Sequence, residues 1–262
     1  MRLEVIAKTP VGNSDRTPIL FIHGAWHAAW CWEYFQAYFA EQGYSSYAMS
    51  LRGHGASEGR DRLRWFRLAD FVSDLEQAAD QMPQPPILVG HSLGGFIIQK
   101  YFEKHSAPAA VLLASIPVKG SLNMFLRWAW RHPWQMAKCH LVRNSYALIQ
   151  TPSLAREAFF SAGMPEQGLL RHFARMQEES YLAGWDTVAF DLPRPKRQDL
   201  PPMLVLGALD DKLFRPDEIE TTARVYHTQA EFFTGMAHDM MLEENWMKVA
   251  ERILVWLREK GF

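Results

Sequence analysis

The sequence predicts an α/β fold in which helices flank a mostly parallel central sheet. Short, continuous apolar runs alternate with longer segments whose apolar residues recur at helical spacing. Gly43 and Pro83 stand where two of the helical segments stop, as expected of residues that end helices. The chain has 262 residues, of which 48% are hydrophobic and 22% charged. Such a chain can bury a substantial core, so disorder is excluded.

Most of the predicted strands are continuous apolar runs, a pattern typical of parallel strands that are buried on both faces. The predicted strands cover residues 19–22, 44–49, 87–89, 110–114, 203–206 and 230–233. The predicted helices carry their apolar residues on one face. They cover residues 31–42, 68–82, 94–104 and 244–260. Strand and helix thus alternate along both ends of the chain.

The alternation stops once, in the segment 119–197. Its pattern contains no convincing strand and predicts helices over 122–139, 153–161 and 165–179. We expect a helical cap inserted into a core that consists of residues 1–118 and 198–262. The segment holds 11 Lys/Arg and 6 Asp/Glu, net +5, so the formal charge of −1 combines a basic cap with a core of −6.

Composition and charge exclude several classes of protein. A net charge near zero predicts no nucleic-acid partner. Cys31 and Cys139 are the only cysteines, so we expect two reduced, buried thiols and no disulfide framework. The N-terminal residues contain no signal-peptide pattern, and no uncharged apolar stretch reaches the roughly 18 residues that span a membrane. These features predict a cytoplasmic protein without stable membrane insertion.

The first motif with a chemical meaning is Gly90-His91-Ser92-Leu93-Gly94, between a predicted strand and a predicted helix. A serine at such a tight turn presents its hydroxyl outward, and the flanking glycines avoid a Cβ clash. The start of the helix places backbone N–H groups near a developing negative charge. We predict that Ser92 is a nucleophile; the alternative is a glycine-rich turn with a solvated serine.

A serine nucleophile needs a base, and the base needs a carboxylate. His238 follows the last predicted strand, where a sheet enzyme would present a base to the nucleophile. Asp210 and Asp211 follow the strand before it, and we choose Asp210 with Asp211 as the competitor. The other plausible position, after the strand that ends at Ala114, contains no acid.

The order Ser92, Asp210, His238 and the turn around Ser92 resemble the α/β-hydrolase superfamily over nearly the whole chain. The segment 23–32, which begins His-Gly-Ala-Trp, is similar to its plant methylesterase and hydroxynitrile lyase branch. The segment 52–57 resembles a loop of its esterases and lysophospholipases. The resemblance supports Asp210 over Asp211, and it implies an oxyanion hole formed by the backbone N–H groups of Ala25 and Leu93.

Several activities of the superfamily are disfavoured by single residues. Its haloalkane dehalogenases and epoxide hydrolases place an aspartate where this chain has Ser92. Its hydroxynitrile lyases resemble this chain around His23 but place a lysine after the catalytic histidine, where this chain has Asp239. The His23-x-x-x-His27 spacing lacks the glutamate and the helix of a zinc site. We therefore expect no metal and no cofactor.

Seven of the ten tryptophans fall in the segment around Ala25 or in the predicted cap, where methionines are also frequent. Large aromatic and adaptable thioether side chains suit an apolar ligand. The predicted substrate-binding residues are Trp26, Trp128, Trp130, Trp134 and Met236, although these side chains could instead bury the cap against the sheet. We expect a serine hydrolase that cleaves small hydrophobic carboxylic esters or thioesters. The alternatives are a C–C bond hydrolase or lyase with the same triad, and a ligand-binding homologue without turnover.

Overall fold

One seven-stranded sheet organises the described part of the chain, residues 1–12, 15–195 and 200–262 of a computed structural model. The strands are β1 (Glu4–Lys8), β2 (Ile19–Ile22), β3 (Ser46–Ser50), β4 (Ile87–His91), β5 (Ala110–Leu113), β6 (Met203–Ala208) and β7 (Ala230–Phe233). Their order across the sheet is β1-β3-β2-β4-β5-β6-β7. β1 pairs antiparallel with β3, and the other neighbouring pairs are parallel.

The predicted α/β fold class is confirmed, and each predicted strand lies within two residues of its expected bounds. All residues of β2, β4, β5 and β6 are buried, as their continuous apolar runs indicated. β1 was not predicted. It is an edge strand, and its last three residues are exposed, so it lacks the continuous apolar run that marks the central strands.

Helices cover the sheet and follow most of the strands. Outside the segment between β5 and β6 they are α1 (Glu33–Glu41), α2 (Leu68–Asp80), α3 (Leu93–Tyr101), α9 (Pro216–Val225) and α10 (Trp246–Glu259). α1 packs against α10, and α2 packs against α3. No helix in the described ranges is both long and apolar enough to cross a membrane.

The segment between β5 and β6 is helical, as expected. It contains α4 (Leu122–Arg131), α5 (Pro133–Val142), α6 (Pro152–Phe159), α7 (Glu166–Phe173) and α8 (Tyr181–Trp185). The single helix predicted over 122–139 is wrong: Pro133 lacks an N–H and begins a new helix, so α4 ends before it. The predicted boundary at 197/198 lies outside the described residues, and the division into core and cap stays a prediction.

Candidate active site

Ser92 occupies a strained turn between β4 and α3. Its backbone angles are φ 50° and ψ −114°, which residues with a Cβ rarely adopt. Holding such a conformation costs on the order of 1–3 kcal/mol and is common at functional sites. The neighbouring glycines permit the turn, because a Cβ on Gly90 would lie 2.6 Å from the Gly94 backbone. The predicted strand–turn–helix context of Ser92 is therefore present.

The loop after β2 lies directly against this turn. A Cβ on Gly24 would lie 2.6 Å from His91 Nδ1 and 2.9 Å from Ser92 Cβ, so glycine is required for the close approach. Ala25 and Leu93 line the same cavity as Ser92. Leu93 is the first residue of α3, so its N–H has no acceptor within the helix. The two backbone amides predicted to bind an oxyanion thus border one site.

His238 is paired with Asp211, and the expected pairing with Asp210 is wrong. His238 Nδ1 and Asp211 Oδ2 are 2.8 Å apart, and these side chains are 1% and 2% exposed. Asp211 Oδ1 accepts hydrogen bonds from Leu213 N at 2.7 Å and Phe214 N at 3.1 Å. Both carboxylate oxygens of Asp211 are thus hydrogen-bonded, which fixes the carboxylate in orientation.

The turn after β6 explains why Asp210 does not reach the histidine. The Asp210 N–H donates to the Met236 carbonyl at 3.0 Å, and the residue is exposed. The Asp211 N–H donates to Ala208 O at 3.4 Å, so the chain turns between these two residues. The Asp211 side chain is buried in this turn, whereas Asp210 is exposed. The predicted loop therefore holds the carboxylate that contacts His238, but the residue is Asp211 and not Asp210.

The His238 ring lies among three rings that limit its movement. The ring centroid of His91, the residue before Ser92, is 4.7 Å away, and those of Phe214 and Phe159 are 5.4 Å and 6.1 Å away. His91 Nε2 also donates to the His238 carbonyl at 3.0 Å. Since His238 Nδ1 faces a carboxylate, Nδ1 carries the proton and Nε2 is the basic nitrogen. Ser92 and His238 are not hydrogen-bonded to each other in the structure.

A second buried His–Asp pair lies beside the first. His27 Nε2 is 3.0 Å from Asp239 Oδ2, and His27 Nδ1 is 2.8 Å from the Ala25 carbonyl. Both partners can only accept, so both ring nitrogens donate and His27 is an imidazolium. Burial alone would lower the pKa of His27, but the charge and hydrogen bond of Asp239 raise it above the ordinary 6.5. Burial opposes the ionised form of Asp239 as well, yet His27 holds the pKa of this carboxyl below its ordinary 3.8.

This pair connects two loops that border Ser92. His27 bonds the carbonyl of Ala25, and Asp239 directly follows His238. Asp239 occupies the position at which the lyase branch carries its lysine, but it is fully buried and does not line the Ser92 cavity. No local sequence pattern predicts this pair, because its members are 212 positions apart in the chain.

A mostly apolar cavity of about 100 Å³ adjoins Ser92. Its roof comes from the helical segment between β5 and β6, including Met124, Phe125, Cys139 and His140. Trp26, one of the predicted substrate-binding residues, lies in its wall. A smaller cavity of about 30 Å³ lies next to it, and several residues line both cavities. The walls common to both cavities are Trp26, Met124, Phe125, Leu148 and Leu213.

The other predicted substrate-binding residues have different positions. Trp128 is buried and lines only the smaller cavity. Trp130 and Trp134 are 89% and 83% exposed, so their assignment to the substrate cavity is wrong. Helical spacing turns Trp130 about 200° away from Trp128, so one points outward when the other points inward. Met236 is buried but borders neither cavity, so its assignment is also wrong.

One buried carboxylate joins the helical segment to the loop after β2. Glu179 Oε2 is 3.1 Å from His54 Nε2 and accepts from the Trp26 N–H at 3.4 Å. The other oxygen, Oε1, accepts from the Ser180 N–H at 2.5 Å. Trp26 itself has φ 64°, a left-handed conformation that is costly for a large side chain. These contacts fix the residue that follows Ala25.

His91, His238 and Asp239 are the residues closest to a metal-ligand arrangement in the described ranges, with one possible ligand atom each within 4.8 Å of the others. Burial and the neighbouring His238 lower the pKa of His91 to about 3, so His91 is neutral. Its Nε2 donates to a carbonyl, and Asp239 is the counter-charge of His27. The proximity of these three residues is therefore accounted for by the hydrogen bonds that they make within the protein.

Comparison with known proteins identifies the family of this chain. Residues 19–252 match the sequence model of the Alpha/beta hydrolase family. "Norfluorocurarine synthase 2" of Strychnos sp is 31% identical over 137 residues, 48% of this chain and 49% of the relative. "Probable esterase PIR7A" of Oryza sativa subsp. indica is 27% identical over 168 residues, 56% of this chain and 61% of the relative. These alignments span only about half of each relative.

Solved structures agree over a longer stretch. The "putative non-heme bromoperoxidase BpoC from Mycobacterium tuberculosis H37Rv" superimposes with a TM-score of 0.79 and 19% identity, covering 99% of this chain and 97% of that one. At this identity the likeness shows the fold alone. The family match covers most of the chain and includes Ser92, Asp211 and His238. The protein therefore belongs to the alpha/beta hydrolase family.

Proposed function

We propose that the protein is a serine hydrolase that cleaves small, apolar carboxylic esters through an acyl-enzyme. The observation that carries the proposal is the strained Ser92 beside a histidine whose Nδ1 is held by a buried carboxylate. Strain at a serine is unfavourable for stability and is typical of a nucleophile in this position. The family and the relative named as a probable esterase support an ester substrate.

In the proposed mechanism Ser92 Oγ attacks the ester carbonyl carbon while His238 Nε2 takes its proton. The Ala25 and Leu93 amides donate to the developing oxyanion, each contributing about 3–4 kcal/mol to transition-state stabilisation. His238 then gives the proton to the departing alkoxide. A water molecule attacks the acyl-enzyme with the same base, which releases the acid and restores the serine. Asp211 keeps the imidazole in the required tautomer throughout.

The cavity supports a short acyl group. An apolar cavity of about 150 Å³ accepts benzene, so about 100 Å³ corresponds to a group of roughly four carbons. Glu179 lines the edge of the cavity, and its carboxylate is buried. An anionic acyl group is therefore disfavoured, because two like charges would meet where little water separates them. Thioesters of the same acyl groups fit the same machinery, because the attack on the carbonyl carbon is unchanged.

A fluorophosphonate probe and a series of nitrophenyl esters test the proposal. We expect the wild-type protein to be labelled, Ser92→Ala to be unlabelled, and acetyl to butyryl esters to be hydrolysed faster than decanoyl esters. The absence of Ser92-dependent labelling in folded protein would contradict the proposal and favour a binding homologue. Labelling without turnover of any ester would instead favour the C–C bond alternative.

A further inference from the structure

The outer surface of the α4–α5 hairpin exposes large apolar side chains that the hydrolase chemistry does not use. We propose that this surface docks on an anionic lipid membrane. The hairpin surface consists of Leu122, Leu126, Trp130, Trp134, Lys138, Leu141, Val142 and Arg143, and each of these residues is exposed. The proposal concerns membrane contact and does not depend on which bond the enzyme cleaves.

Helical spacing makes the apolar residues contiguous. Leu122, Leu126 and Trp130 are four residues apart in α4, which places them along one face. In α5, Trp134 and Leu141 share a face with Lys138. Scattered single apolar residues are normal on a protein surface, whereas a contiguous row on adjacent helices marks an interaction site.

The inner faces of the two helices already have a partner. Met124 and Phe125 of α4 and Cys139 of α5 line the cavity beside Ser92, and Met136 lines the smaller cavity. The hairpin is therefore apolar on both sides. The fold accounts for the inner side, whereas in the described ranges the outer side is exposed.

Charge points to an anionic partner. Residues 122–144 contain four Lys/Arg and no Asp/Glu. Arg127 is paired with Glu218, and Arg131 with Glu157. In the described ranges Lys138 bonds the amide of Gln150, and neither Lys138 nor Arg143 forms a salt bridge. Two uncompensated cations beside exposed tryptophan and leucine are the combination that binds anionic lipid surfaces.

A second copy of the chain fits this surface less well. In a two-fold symmetric contact the same patch faces itself. Lys138 and Arg143 of both copies would then come together with no acidic residue in 122–144 to neutralise them. A lipid surface satisfies both features at once, since tryptophan settles at the headgroup level and the cations meet lipid phosphates.

Co-sedimentation with vesicles tests the proposal. The wild-type chain is mixed with vesicles of phosphatidylcholine alone, or of phosphatidylcholine with phosphatidylglycerol. We expect binding to the anionic vesicles and a blue shift of tryptophan fluorescence. The double variant Trp130→Ser/Trp134→Ser should bind at least about tenfold more weakly. Each basic residue contributes about fivefold, so Lys138→Glu/Arg143→Glu should lose about 25-fold or more.

Matched controls exclude general effects of the substitutions. Trp65 is 55% exposed outside the hairpin, and Lys248 is exposed on α10, so Trp65→Ser and Lys248→Glu should bind as the wild type does. Circular dichroism confirms that each variant is folded. Wild-type binding to neither vesicle, or binding that the hairpin variants leave unchanged, would overturn the proposal. So would a dimer in sedimentation velocity that Trp130→Ser/Trp134→Ser dissociates, because the surface would then serve self-association.

Discussion

Replacing Asp211 by asparagine should nearly abolish hydrolysis without unfolding the protein, whereas Asp210→Asn should have little effect. The two aspartates are adjacent, and the substitutions are chemically identical. Only Asp211 contacts His238, at 2.8 Å, while Asp210 is exposed. The pair of variants therefore isolates the contact with the base from every other consequence of removing a carboxylate in this loop.

The magnitude follows from the bonds of Asp211. Its Oδ1 accepts two backbone N–H groups, so an asparagine oxygen will occupy that position and the NH₂ will face His238 Nδ1. His238 must then accept at Nδ1 and carry its proton on Nε2, the nitrogen that should take the proton of Ser92. A wrong tautomer of this kind lowers kcat about 10⁴-fold, or about 5.4 kcal/mol. An exposed Asp210→Asn should change kcat by less than about threefold.

The assay is steady-state hydrolysis of nitrophenyl acetate by the wild type and both variants, with fluorophosphonate labelling in parallel. Thermal unfolding followed by circular dichroism confirms that each variant is folded under the assay conditions. A larger loss for Asp210→Asn than for Asp211→Asn would refute the assignment. Equal and small losses would refute the idea that His238 acts as a base oriented by a carboxylate.

Three further predictions concern neighbouring groups. Asp239→Asn should lower the free energy of unfolding by about 3 kcal/mol. The His27–Asp239 pair stabilises the fold fully between pH 3.8 and 6.5, and its contribution is lost below the lowered pKa of Asp239 and above the raised pKa of His27. Urea titrations should therefore show that the difference in free energy of unfolding between the wild type and Asp239→Asn shrinks at both pH extremes. Gly24→Ala should reduce kcat far more than KM, because the new Cβ would lie 2.6 Å from His91 Nδ1. Met124→Ala should join the two cavities and shift the preferred nitrophenyl ester toward longer acyl chains; an unchanged profile would contradict the cavity assignment.

The elements that sequence predicts well are those whose signal is local. A buried parallel strand is a continuous apolar run, so β2, β4, β5 and β6 were placed within two residues. The turn at Ser92 was also predictable, because the glycines that permit its backbone stand beside it in the chain. β1 has one neighbour and a half-exposed pattern, so its sequence resembles a loop.

What the sequence does not specify is the direction of side chains in turns and the meeting of distant residues. Asp210 and Asp211 are neighbours in the chain, and the turn after β6 decides which of the two side chains points toward His238. A local sequence pattern does not contain that information. The His27–Asp239 pair depends on the close approach of the loops after β2 and β7. Trp130 and Trp134 were assigned by residue type, whereas their exposure depends on how α4 and α5 rotate against the sheet.

The catalytic geometry depends on the helical segment as well as on the sheet. Phe159, the last residue of α6, accepts the Asp239 N–H at 2.9 Å, and its ring contacts both His238 and Trp26. Glu179 bonds the Trp26 N–H from the same segment. Contacts from the helical segment thus hold both the base and the oxyanion loop, and a movement of α6 would break the Phe159 contacts with both. The α4–α5 hairpin lines the cavity but does not take part in these contacts. We therefore expect membrane contact at the hairpin to change the shape of the substrate cavity without displacing the base or the oxyanion loop.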